Sequence, residues 1–215
     1  MSPSGLIRAS GLSCLLGGIC LIAFVLIHPW DRLVGAANAM DPRWQLAHRL
    51  HFVGAIFALL GLPGLYAWQR HRLGTLGVIG FALSVLGNAM FIGTGMITGF
   101  IWPMLAMCAP QSVELGGALF GPLGSLSFLL TAATMMLGYG IFGAASLRIG
   151  MLPRWAMVML IVGVFLGMTP PHPLTALPWA AMVLGGVLYG VGLVWVGVFL
   201  CVTPSAAHRP ASALA

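Results

Sequence analysis

"DPRWQLAHRLHFVGAIFALLGLPGLYAWQRHR", residues 41–72, decides how the rest of the chain is read. It opens with Asp41, an acid suited to capping a helix, and Pro42, whose fixed φ suits the first helical position. It closes on Arg70, His71 and Arg72, and no charged residue lies between Arg49 and Arg70. An uncharged run of that length crosses a bilayer, which takes about 20 apolar residues. The titratable groups crowd the mouth of this helix: Asp41, Arg43, His48, Arg49 and His51.

The same reading extends outward to the whole chain. Its hydrophobic fraction is 60%, its charged fraction 6% and its mean hydropathy +1.05. A soluble domain carries about a quarter charged residues. This chain has too little polar surface to cover a core in water, so the lipid bilayer must be its solvent. The formal charge of +6 comes from nine arginines and no lysine. They are scattered between apolar runs, not gathered into the basic patch that marks a nucleic-acid partner, so no nucleic acid is expected. Cys14, Cys20, Cys108 and Cys201 form no CxxC, CxxCH or paired framework, so no disulfide or covalent haem site is expected.

Six apolar runs predict an all-α bundle of six transmembrane helices, near residues 9–28, 42–69, 73–102, 117–147, 153–169 and 177–202. They make one membrane domain, 9–202, between a short N-terminus (1–8) and a disordered tail (203–215). Ala37-Asn38-Ala39 has the form of a cleavage site but lies too far past the first run, which is read as a retained anchor. Arginine placement sets orientation. With both termini cytoplasmic, Arg8, Arg70, Arg72, Arg148, Arg154 and Arg209 are inside. Arg32, Arg43 and Arg49 are then outside with every acid, Asp31, Asp41 and Glu114. Tryptophans prefer interfaces: Trp30, Trp44, Trp102 and Trp179 fall at outer ends, and Trp68 and Trp155 at inner ends.

Gly95/Gly99, Gly117/Gly121, Gly163/Gly167 and Gly186/Gly190 have the spacing that lets helix backbones approach closely in lipid. They predict tight packing and offer faces for a second copy or a partner membrane subunit. Pro63 and Pro122 are expected to kink their helices. Residues 60–87 and 137–167 share a pattern of helix, short basic loop and helix, the kind of echo internal repeats leave in transporters.

Counting ~1.5 Å per residue from the inner arginines brings His28, His48 and His51 to one depth, at the outer edge of the hydrocarbon. His48 and His51, three apart, share a helix face. With His28, and Asp31 just above it, they form a candidate ligand set for a divalent metal. Alternatively, His28 and one of the pair could hold haem b between two helices. His172, between prolines in "TPPHPL", is expected to be exposed. Asn88 and Thr94, with Thr98, Ser125, Ser127, Thr131 and Thr134, lean toward the same end, and Glu114 lies in an outer loop. These residues predict a pocket open to the extracytoplasmic side, bounded by the first four helices, with His28, His48, His51, Asn88, Thr94 and Glu114 as its polar groups. A buried amide such as Asn88 needs a partner.

Mid-membrane positions carry no Asp, Glu, Lys or Arg, so an ion-coupled pump is not expected. There is no HExxH, phosphate loop, Ser-His-Asp order or paired-carboxylate spacing, and no catalytic residue is assigned. The leading reading is a binding protein for a small apolar molecule, lipid or metal. The alternatives are a haem- or metal-dependent redox protein and an accessory subunit of a larger complex.

"LIHPWD" (26–31), "AHRLHF" (47–52), "LGLPGLYAWQ" (60–69) and "GMLPRWAMV" (150–158) together resemble segments of a broad group of small bacterial six-helix membrane proteins. The resemblance covers most of the chain. It implies a six-helix bundle in the bacterial plasma membrane and carries no activity with it.

Overall fold

A computed structural model describes residues 3–30, 35–169 and 179–203. All regular structure among them is helical: α1 (Pro3–Ile27), α2 (Ala36–Ala39), α3 (Pro42–Gln69), α4 (Gly74–Met96), α5 (Trp102–Cys108), α6 (Pro122–Ile149), α7 (Arg154–Gly167) and α8 (Trp179–Val202). Five apolar stretches are long enough to cross a membrane: Ser4–Ile27, Pro42–Gln69, Gly74–Cys108, Pro122–Ile149 and Trp179–Val202. The fifth predicted run, 153–169, is a shorter apolar helix, α7, of 14 residues.

Each long helix is apolar all round, which suits a helix with lipid on one side and protein on the other. On α1 the exposed positions Leu12, Ile19 and Leu26 recur every seventh residue, and Leu46, Val53 and Leu60 do so on α3. The inward faces differ in size and polarity, not in hydropathy. The helices pack in chain order as a closed ring: α1 on α3, α3 on α4, α4 on α6, α6 on α7, α7 on α8, and α8 back on α1.

Glycines set the seams of this ring. A Cβ on Gly61 would strike Cys14 of α1, and one on Gly18 would strike the Gly190 carbonyl of α8. Gly80 lies on the Phe142 backbone of α6, and Gly163 on the Tyr189 backbone of α8. Lipid offers no hydrophobic drive between helices, so close backbone approach supplies the attraction instead. Three of the predicted pairs take part: Gly95/Gly99 face α3, Gly163/Gly167 face α8, and Gly186/Gly190 face α1. They are occupied within the chain. Gly117 and Gly121 instead lie in the loop before α6, with Gly117 against the Gln111 and Ser112 carbonyls.

Local chemistry accounts for the helix ends. Asp41 caps α3 by accepting the Arg43 N–H at 2.8 Å, and its carboxylate pairs with the Arg43 guanidinium at 3.2 Å. Among the described residues Arg49 has no acid partner: it donates to Gln45 and lies 5.5 Å over the Phe100 ring. Pro122 does not kink its helix; it occupies the first turn of α6, where a missing N–H costs nothing. Pro63 stands inside α3, which continues to Gln69. The third predicted span runs past residue 102 to Cys108 through a π-helical turn at Ile97–Ile101. Pro103, two residues past it, has no N–H and crowds the carbonyl four residues back, which favours the wider turn.

Candidate functional site

The structure brings His28, His48 and His51 together at one end of the ring. His28 follows α1, and the other two stand on the inward face of α3. His28 and His48 touch with ring centroids 5.0 Å apart, and His48 and His51 are 6.3 Å apart. All three are buried, at 8%, 6% and 4% exposure.

Aromatic rings box them in. Trp30 covers His28 at 4.2 Å, and Trp44 lies 4.1 Å from His48. Phe24 stands between His28 and His51, at 5.7 and 5.0 Å, and Phe91 of α4 closes on His51 at 4.0 Å. The π turn contributes here too. It leaves the Thr98 carbonyl free to accept the Trp44 indole N–H at 3.1 Å, and Trp44 stacks on Trp102 at 5.4 Å. Gly95 permits α4 to come this close, since a Cβ there would sit 3.3 Å from the His51 Nδ1.

The hydrogen bonds of the three imidazoles differ. His48 Nδ1 donates to the Trp44 carbonyl at 3.0 Å, which leaves Nε2 as its acceptor. His28 Nδ1 is buried without a partner. At His51 neither nitrogen has a hydrogen bond; the Phe91 backbone lies near the ring without meeting bonding geometry. Burial pushes the His28 imidazole, one residue beyond the first span, down to about 4.

Haem does not fit this arrangement. His28 and His48 are in direct edge contact, His48 and His51 share one helix, and Phe24 fills the gap between His28 and His51. Among the described residues no three His, Cys, Asp or Glu side chains are arranged to hold one metal ion. Asp31, the fourth predicted ligand, lies outside the described residues, as does His172.

The other predicted pocket residues bond to backbone or to other helices, not to the histidines. Glu114 is exposed and accepts the Ala36 N–H at 3.0 Å, tying its loop to α2. Thr94 donates to its own helix at Phe91, and Thr98, Ser127, Thr131 and Thr134 likewise bond backbone within their own helices. Ser125 donates to the Phe120 carbonyl just before α6. Asn88, fully buried, lies one turn from Phe91 and donates to Tyr139 Oη of α6 at 3.0 Å and to the Ser84 carbonyl at 2.8 Å.

This last contact belongs to a second buried cluster that sequence reading did not anticipate. Tyr189 of α8 donates to Tyr139 Oη at 2.7 Å, so three helices meet through Asn88, Tyr139 and Tyr189. A signal was present. Tyrosines in membranes favour the interface, yet two of the three in this chain stand mid-run beside glycines, in "LGYGIFG" and "VLYGVG". At the end remote from the histidines, Gln69 of α3 donates to Ser146 of α6 at 2.7 Å.

Compared with known proteins, the chain matches no family model, no curated protein and no solved structure.

Proposed function

We propose that this chain is a binding protein of the bacterial plasma membrane, with six spans and both termini in the cytoplasm. Its ligand is a small, mostly apolar molecule or lipid held at the outer end by His28, His48 and His51. One observation carries the reading: His51 is buried in an aromatic box with both ring nitrogens unpartnered. An unmet hydrogen-bonding group in such a place costs roughly 1–3 kcal/mol, and a ligand carrying a hydroxyl or carbonyl on an apolar body removes that cost. Binding sites of this kind are largely apolar with a few convergent polar groups.

In this arrangement the box is closed, with Trp30 as its outer cover against His28 and Trp179. Entry proceeds by displacement of Trp30, whose ring is held by one hydrogen bond to the Val25 carbonyl at 2.8 Å. The six-span topology is supported by the position of α7 in the ring between α6 and α8. Its orientation is supported by six arginines on one side against three on the other.

Native mass spectrometry of protein purified in mild detergent tests the reading. A bound small molecule or lipid present in the wild type and lost in His51→Leu is the expected result. A wild-type protein carrying no such species, or one whose bound species survives His51→Leu, would remove the histidines from the account. A Soret band in the same sample would return the haem reading.

A further inference from the structure

At the end of the ring remote from the histidines, a groove of about 640 Å³ runs between the start of α4 and the end of α6. Its floor is apolar: Leu76, Ile141, Ala144 and Ala145 line it. At its rim stand Arg72 and Arg148, both exposed. Among the described residues neither guanidinium has a hydrogen-bond or ion-pair partner. The two described acids, Asp41 and Glu114, are at the opposite end of the ring, and Asp31 directly follows Trp30 in the chain. At the same end Arg70 donates to His71 Nε2 at 3.2 Å and Arg154 lies 6.0 Å over Trp155, while Arg8 stands on α1, outside the groove lining.

We propose that this groove binds an anionic phospholipid, its phosphate held between Arg72 and Arg148 and an acyl chain laid along Leu76, Ile141 and Ala144. Charge complementarity selects the occupant. Two unpaired guanidinium groups are suited to a phosphate, and among the described residues no acid competes for them. The apolar floor continues into the lipid-facing surface, where Leu76 and Ile79 are exposed. Basic pockets between spans at the inner leaflet recognise lipid headgroups in this way. The Thr75 hydroxyl, also on the lining, adds a donor at the headgroup level. The bias of arginines toward the cytoplasmic side explains their presence at this end of the ring. It does not explain why two unpaired ones flank a single apolar groove.

The test uses delipidated full-length protein in neutral detergent, with thermal shift and native mass spectrometry as readouts. The probes are phosphatidylglycerol, phosphatidylcholine of the same chains, and inorganic phosphate. Phosphatidylglycerol should stabilise the wild type, while phosphatidylcholine and phosphate should not. The double variant Arg72→Gln/Arg148→Gln should bind phosphatidylglycerol about tenfold more weakly or worse. Arg154→Gln, which removes one positive charge at the same end but outside the groove, should leave binding unchanged. Ala144→Trp, which fills the exposed floor and keeps both arginines, should also lose the lipid. Equal binding by the double variant, equal loss in Arg154→Gln, or stabilisation by phosphate alone would each overturn the proposal, the last by making this a free-anion site.

Discussion

Replacing His51 with leucine should make the protein more stable while abolishing its ligand. The two residues are close in volume, and the site is already apolar, bounded by Phe24 at 5.0 Å and Phe91 at 4.0 Å. In the ligand-free protein the imidazole offers one donor and one acceptor, both buried and neither used. Removing them recovers a desolvation cost of roughly 1–3 kcal/mol. For a chain of this size each kcal/mol moves the midpoint by roughly 2–4 °C, so the expected rise is roughly 2–12 °C. The assay is thermal unfolding of delipidated protein in neutral detergent, because a bound ligand would stabilise the wild type and mask the difference. His48→Leu is the control: it loses the 3.0 Å bond to the Trp44 carbonyl and should be neutral or destabilised. A midpoint for His51→Leu at or below that of the wild type would refute the reasoning, since it would mean the imidazole is satisfied in the empty protein.

Gly80→Ala puts a methyl group into the Phe142 backbone and should cost roughly 1–3 kcal/mol through overpacking. Gly93→Ala, with nothing within 4 Å of the new Cβ, should be neutral or stabilising by up to about 1 kcal/mol; chemical denaturation of the pair separates packing from propensity. Tyr139→Phe removes the acceptor shared by Asn88 and Tyr189 and should cost more than Tyr189→Phe, which deletes only the end of the chain of bonds. The same denaturation assay ranks them, and equal losses would show that the bonds are not acting as a linked set. His28, held at about 4 by burial, is neutral in the folded protein, and its protonation opposes folding. Its contribution is intact above about pH 6.5 and is lost as pH falls toward 4, by roughly 2–3 kcal/mol. His28→Leu should flatten that part of the stability profile between pH 7 and pH 4, and an unchanged slope would assign it to other groups.

The long apolar helices, the Asp41 cap and the common depth of the three histidines were legible in the sequence, because each rests on a local signal: run length, cap chemistry or distance along a helix. Which residues surround those histidines was not. Phe24 and Phe91 sit in runs where every neighbour is equally apolar, so hydropathy does not distinguish a face turned inward from one turned to lipid. Glycine spacing carried part of that information and found three of the ring's contacts. It also produced Gly117/Gly121, which has the right spacing but precedes its helix because Pro122 starts α6. Asn88 was correctly expected to need a partner, but spacing along one chain cannot say that Tyr139, 51 residues away, supplies it.

The polar groups inside the ring stand at three levels, and the levels are not equivalent. Near one end Gln69 reaches across from α3 to Ser146 of α6, and at the middle Asn88 and Tyr189 both bond Tyr139. Each of these cross-links ties different helices together where apolar surfaces alone would slide, a use of polar groups suited to lipid. Asn88 and Gln69 each keep one unmatched oxygen, but each also holds a facing helix through its nitrogen. The histidine level breaks this pattern. His48 bonds within its own helix, and no hydrogen bond links the three imidazoles to one another. His51 stands apart even from the other two: neither of its nitrogens caps, cross-links or bonds its own helix, so leucine there should cost the ring less. The proposed ligand would give those two nitrogens the partners that the ring does not.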